Sequence, residues 1–172
     1  ISVRRRGGEV LGETVNMKKG VRSVSVFSPA KVNLFLAVTG KRLDGFHDVF
    51  SVVAPLGLGD VVTVVRKEGK GSVECLCENA RVPDGHDNLA AKAAIAWCER
   101  SGNGQGVRIV ILKRIPVGGG LGGGSSNAVA VLQGLNLLAK NPLPREVLWG
   151  VALSLGSDCP LFLVKGPCVL EG

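Results

Sequence analysis

Apolar and polar positions alternate with a period of two in several short segments of the first half of the chain. Ser23–Phe27 reads as a strand, and Ser28-Pro29-Ala30 is expected to break it. In Lys31–Val38, Val32, Leu34, Leu36 and Val38 share one face, while Lys31 and Asn33 lie on the other with Phe35 and Ala37. Gly40–Gly45 is a polar turn, Phe46–Ala54 returns to apolar character, and Gly57–Asp60 is a second turn. Val61–Arg66 and Ser72–Cys77 read as strands on either side of a Gly69–Gly71 turn. Pro83-Asp84-Gly85 marks another turn.

The period then changes. Asp87 or Asn88 is placed to cap a helix whose apolar positions include Leu89, Ala93, Ala96 and Trp97, and which stops near Gly102. Val107–Ile115 is a strand rich in β-branched residues. A helix is expected over Asn127–Ala139, and a second over Arg145–Leu155 after Pro142 and Pro144, ending at Gly156. Pro160–Val164 reads as a last strand. Strands come first and helices mix with strands afterwards, an α+β order without repeats or an internal linker over 23–172.

Between the strand ending at Ile115 and the helix after it lies Pro116-Val117-Gly118-Gly119-Gly120-Leu121-Gly122-Gly123-Gly124-Ser125-Ser126-Asn127. Six of the seven residues 118–124 are glycine. Backbone without Cβ atoms approaches a ligand closely, and its N–H groups together with a helix N-terminus form an anion site. Ser125 and Ser126 add hydroxyls that would cap the helix or touch a phosphate or a metal ion. No lysine lies in the loop, which excludes a Walker A motif. Gly118, Gly120 and Gly123 match the spacing of a dinucleotide fingerprint. That fingerprint also needs an acidic residue about 20 positions on, ending a second strand, and here Glu146 instead opens a helix after two prolines.

Composition refines this picture. Of 172 residues 25 are glycine, but hydrophobic residues make up 45%, so the glycine serves special backbone sites in a packed protein and does not signal disorder. The net charge is +7, of which +4 falls in the first 22 residues. The body is only mildly basic and aromatics are 4% with no tyrosine, which argues against a nucleic-acid partner and suits a small anionic substrate. Five cysteines without a C-x-x-C pair fit reduced thiols in a cytoplasmic protein and not a zinc site, and no apolar run is long enough to span a membrane. Met17, the only methionine, is expected to be the natural start, with residues 1–16 an upstream or non-native extension. Arg4-Arg5-Arg6 is accompanied by Glu9 and Glu13, which a transit peptide would lack. The apolar stretch up to Gly172 reads as mid-fold, so the chain is expected to be a truncated one.

Four segments in order carry a resemblance. Pro116–Asn127 resembles the nucleotide loop of the GHMP small-molecule kinases. Ser28-Pro29-Ala30-Lys31-Val32-Asn33-Leu34-Phe35-Leu36 resembles that family's first motif. Gly40-Lys41-Arg42-Leu43-Asp44-Gly45-Phe46-His47 resembles a substrate-pocket motif, and Gly156-Ser157-Asp158-Cys159-Pro160 the segment with the catalytic aspartate. The Ser28–Leu36 and Gly40–His47 segments are most similar to the branch acting on 4-diphosphocytidyl-2-C-methyl-D-erythritol, in the non-mevalonate route to isoprenoid precursors.

The resemblance implies an α+β lobe like domain 2 of ribosomal protein S5, formed by 17–172, with the family's C-terminal lobe missing. It implies ATP and Mg²⁺, and transfer of the γ-phosphoryl group to the substrate's 2-hydroxyl. Asp158 would take the hydroxyl proton, and Lys31 would pair with it and stabilise charge near the transferring group. By position alone, Asp158 reads as a cap or turn residue after Gly156, and Lys31 as an edge-strand charge. Asn33, on the face of Lys31, would bond substrate, His47 would read the cytosine ring, and Phe46 would stack on it in place of the family's frequent tyrosine. Asn88 and Leu89 match a pair used near adenine, although N-capping also accounts for Asn88. Lys113 matches a basic residue near adenine or phosphate, and reads equally as a solvated strand end. No ligand for the metal is assigned beyond the hydroxyls of Ser125 and Ser126.

Overall fold

The computed structural model describes residues 2–4, 22–41, 45, 47–78, 85–164 and 166–171. In chain order its elements are β1 (Ser2–Arg4), β2 (Ser23–Lys41), β3 (His47–Lys70), β4 (Val73–Cys77), α1 (Leu89–Ser101), β5 (Gln105–Leu112), α2 (Gly123–Leu138), α3 (Arg145–Leu155) and β6 (Cys168–Glu171). Two 3₁₀ turns, Gly85–Asp87 and Cys159–Leu163, complete them.

The long β3 organises one six-stranded sheet. β2 runs antiparallel along one of its edges, from Ser23 opposite Val65 to Lys41 opposite His47. The other edge is shared, with Phe50–Val53 pairing β6 and Val61–Lys70 pairing β5. β1 pairs with β6, and β4 lies parallel to β5 on its far side. Val62 and Val64 of β3 and Val107, Ile109 and Ile111 of β5 point to one side by strict alternation and are at most 2% exposed. Against them pack Ala90, Ala94 and Trp97 of α1, residues 128–132 of α2, and Val151 and Ala152 of α3. Gly134 lets α2 approach the sheet, since a Cβ there would lie 3.0 Å from Cγ2 of Val64. This is the α+β lobe expected from the sequence, and among the described residues no helix is long and apolar enough to cross a membrane.

Several local readings are corrected. Ser28-Pro29-Ala30 does not end a strand. β2 continues through it with a register shift between Pro29 and Lys31, and its place at the sheet edge spares Pro29 a missing ladder bond. Gly57–Asp60 is likewise not a turn but the middle of β3. A Cβ on Gly59 would come within 2.5 Å of the Phe27 ring and 2.7 Å of the Ser28 carbonyl oxygen, so glycine is there for close backbone approach. The strands flanking Gly69–Gly71 are not neighbours, because β5 inserts between them after the α1 crossover. A shift between Asn33 and Phe35 breaks the single alternation of β2, and Leu34, Phe35, Leu36 and Val38 are all more than half exposed. Pro160–Val164 forms the 3₁₀ turn and not a strand; proline suits the first turn of a helix, where its missing N–H has no partner to lose.

The helix boundaries agree more closely. Asn88 caps α1 by accepting the Ala90 N–H at 2.9 Å, and Gly102 ends it with φ +66°. α3 occupies the expected residues, whereas α2 begins at Gly123, four positions before Asn127. β6 was not anticipated, nor was β1, which falls inside the segment expected to be an upstream extension. The remainder of residues 1–16, the turn residues 42–44 and Phe46 lie outside the described residues.

Candidate active site

The glycine loop leaves β5 and enters α2 with no side-chain cap. Gly118, Gly120 and Gly122 have φ of +80°, +69° and +69°, a conformation that costs other residues roughly 1–2 kcal/mol each. Gly122 is the N-cap of α2, so the first N–H groups of that helix are left to a ligand at its positive end. A cavity of about 450 Å³ opens over them. Asn88, Leu89, Lys113 and the run Pro116, Val117, Gly118, Gly119, Gly120, Leu121, Gly122, Gly123, Gly124 and Ser125 all line it, together with Asp87 and Asn127. The structure thus gathers in one cavity every residue expected at the nucleotide except Ser126. With α2 starting early, Ser126 turns inward. It is 1% exposed, its hydroxyl accepts from Ser28 at 2.8 Å, and its N–H donates to the Gly122 carbonyl at 2.9 Å. The N–H is thus already bonded, and the buried hydroxyl does not line the cavity.

Beneath the loop lies a buried polar network centred on Asp60, which the sequence reading had assigned to a turn. Its carboxylate accepts the N–H groups of Arg114 (2.7 Å) and Ile115 (2.8 Å), the Lys113 ammonium (2.6 Å) and the Asn127 amide (2.9 Å). Asn127 also donates to the Ser28 hydroxyl at 2.8 Å and accepts from Lys113 at 3.2 Å. Lys113 is therefore not a solvated strand end, its side chain being 7% exposed and that of Asp60 0%. Burial alone would raise the Asp60 pKa, but the Ile115 N–H, the Lys113 ammonium, the Arg114 N–H and the Asn127 amide together hold it below the usual aspartate range. Losing one partner of such a pair strands a buried charge and costs about 3–5 kcal/mol.

That shift sets the sign of an acid response. The unfolded chain binds this proton more tightly than the folded one, so the stabilisation is complete above about pH 4 and is lost as the pH falls through the lower folded value. Urea midpoints measured at about pH 5 and about pH 3 are expected to fall for the unmodified protein, and this difference to shrink in Asp60→Asn.

The second half of the site comes from β2. Lys31 is 9% exposed, its N–H donates to the Leu121 carbonyl at 2.9 Å, and its side chain runs beside Gly122. Its ammonium donates to the side-chain amide oxygen (Oδ1) of Asn33 at 2.8 Å and lies 3.5 Å from the Asp158 carboxylate. Asn33 in turn donates to Ser51 at 2.7 Å, so it fixes the ammonium from one side. Asp158, 38% exposed at the side chain, stands at the start of the 3₁₀ turn. Next to it Cys159 is fully buried; burial, with the Asp158 charge adding to it, pushes its thiol pKa up despite a hydrogen bond to Ser125. Lys31, Asn33 and Asp158 therefore meet, while His47 does not join them. It is exposed at the start of β3, opposite Lys41 and eight strand positions before Pro55, the partner of Lys31.

Among the described residues no cluster of three His, Cys, Asp or Glu side chains is suited to holding a metal ion. Mg²⁺ bound through phosphate oxygens and water needs only one or two protein oxygens, and Ser125 is a hydroxyl-bearing residue among those that line the cavity.

Residues 88–166 match the GHMP kinases N terminal domain. The chain is 40% identical over 152 residues to the 4-diphosphocytidyl-2-C-methyl-D-erythritol kinase of Citrifermentans bemidjiense, covering 88% of this chain and 54% of that one. It is 46% identical over 149 residues to that of Anaeromyxobacter sp., covering 87% and 48%. A crystal structure of 4-(cytidine 5'-diphospho)-2C-methyl-D-erythritol kinase superposes with TM-score 0.71 at 37% identity, over 87% of this chain and 52% of that one. A mevalonate kinase structure, at 14% identity and TM-score 0.64, shares the fold. The chain spans about half the length of the curated relatives it matches. The matched domain, the fold and this identity show that the chain carries a GHMP kinases N terminal domain and is similar over most of its length to about half of a 4-diphosphocytidyl-2-C-methyl-D-erythritol kinase.

Proposed function

We propose that this protein transfers the γ-phosphoryl group of ATP to the 2-hydroxyl of 4-diphosphocytidyl-2-C-methyl-D-erythritol. The observation that carries the reading is the junction of Lys31 with the glycine loop. One residue bonds the loop at Leu121, packs on Gly122 at the start of α2, and reaches the Asp158 carboxylate. An anion cradle and a proton acceptor are thereby held against each other, which phosphoryl transfer requires.

In this reading the α2 N-terminus and the N–H groups of the loop hold the phosphates of ATP. The substrate hydroxyl gives its proton to the Asp158 carboxylate as its oxygen bonds to the γ-phosphorus, and the bond to the β-phosphate oxygen breaks to release ADP. Lys31, oriented by Asn33, offsets the negative charge on the transferring group. Mg²⁺, when bound, neutralises the β- and γ-phosphate oxygens, and Ser125 is the residue of this chain that would contact it. Asn88 and Leu89 line the cavity where adenine would lie, Lys113 stands beside Gly123 at the start of α2 on the phosphate side, and exposed His47 at the start of β3 suits an elongated acceptor that carries a cytosine.

A panel of acceptors tests the proposal. With ATP and the intact gene product, the cytidyl substrate is expected to be phosphorylated and homoserine and mevalonate not. Phosphorylation of homoserine or mevalonate in its place would overturn the substrate assignment.

A further inference from the structure

We infer that Asp60 is a positioning residue for the nucleotide loop, an inference that rests on reading the cavity as an ATP site. Its four acceptor contacts divide between the two ends of that loop. Arg114 and Ile115, on one carboxylate oxygen, immediately precede Pro116. On the other oxygen are Lys113, also at the entry, and Asn127, in the second turn of α2 beyond the exit. One side chain on a central strand thus closes the base of residues 116–126. Through Asn127 and Ser28 the network reaches Ser126, and Ser28 lies three residues before Lys31, which holds the middle of the loop at Leu121.

Asp60 does not border the cavity, so it acts through these groups and not on a ligand. The need for a clamp follows from the loop itself. Six glycines within seven residues have far more conformations to lose than an ordinary loop of that length. A backbone already held open at a fixed width binds phosphate without that loss. Removing the clamp is therefore felt in ATP affinity more than in the chemical step, where Lys31 and Asp158 act from β2 and the 3₁₀ turn.

The test compares Asp60→Asn with Val62→Ala in the intact gene product. Val62 is a fully buried core residue on the same strand that touches neither loop nor cavity, so its variant reports plain destabilisation. At a temperature where both variants are folded, Asp60→Asn is expected to raise the KM and Kd for ATP about tenfold or more, with kcat and the acceptor KM within about threefold. Val62→Ala is expected to leave all four within about twofold. An unchanged ATP KM in folded Asp60→Asn overturns the inference, as does an equal rise in Val62→Ala.

If Asp60→Asn does not fold, hydrogen exchange in the unmodified protein decides. By linkage, ATP binding must then slow exchange at the amides of Arg114 and Ile115, which do not line the cavity. Unchanged exchange in a protein that binds ATP overturns this inference alone, whereas no ATP binding at all removes it together with the nucleotide reading.

Discussion

Asp158→Asn is expected to lower kcat by about 10²–10⁴-fold while ATP affinity stays within about threefold of the unmodified protein. The substitution keeps the shape of the side chain and removes its negative charge, and with that its ability to accept the hydroxyl proton. The side chain is partly open to solvent, and its ion pair with Lys31 is a 3.5 Å contact, so little fold stability depends on it. Lys31 keeps its hydrogen bond to Asn33 and its backbone bond to Leu121, and the loop that would hold ATP keeps its anchors. Rapid-quench turnover and nucleotide titration on the same preparation separate the two effects. Unchanged turnover would remove Asp158 from the role of base, and loss of ATP binding would make it part of the nucleotide site.

Gly122→Ala is expected to have an effect of similar size by a different route. The added Cβ would stand 2.9 Å from the Phe162 ring, 3.0 Å from Cγ of Lys31 and 3.3 Å from its Cε. It would also place an alanine at φ +69°, a strain of about 1–2 kcal/mol in addition to the crowding. Relief comes from moving the Lys31 side chain away from the start of α2. A displacement of about 1 Å at such a site costs on the order of 10²-fold in rate. kcat/KM is therefore expected to fall about 10²-fold or more, with a melting temperature only a few degrees lower. Gly150→Ala, in α3 and away from the cavity, serves as its control, because a Cβ there meets nothing within 4 Å and no positive φ is required. Equal losses in the two variants would contradict the steric link between Gly122 and Lys31.

What the sequence discloses depends on how local the cause is. The backbone of the glycine loop was legible because glycine acts at its own position, and Gly118, Gly120 and Gly122 do occupy the left-handed region. Asn88 and Gly102 were legible as helix ends for the same reason. Asp60 was not. Its partners come from just beyond β5 and from α2, 53 to 67 residues away, and following Gly57 and Gly59 it has the composition of a turn. The one signal available was a lone carboxylate leading into Val61-Val62-Thr63-Val64-Val65, which in a buried strand must find donors.

Ser126 was misassigned because starting α2 four residues earlier rotates it from the cleft to the sheet. Pro160–Val164 was misassigned because a five-residue apolar run has no period to distinguish a strand from a helical turn. The meeting of Lys31 with Asp158, 127 positions apart, follows from no pattern in either segment. Family resemblance alone anticipated it, and the fold accounts for it by bringing the middle of β2 beside the 3₁₀ turn that opens at Cys159.

The most direct measurement is ³¹P NMR of the intact gene product with ATP, Mg²⁺ and 4-diphosphocytidyl-2-C-methyl-D-erythritol. Carbon 2 of that acceptor bears the methyl group and no hydrogen, so a phosphate on its hydroxyl has no three-bond coupling to a carbinol proton. The account predicts one new monoester resonance lacking that coupling, in step with ADP formation and absent in Asp158→Asn. A monoester resonance split by a carbinol proton, or ADP and inorganic phosphate with no new ester, would contradict it.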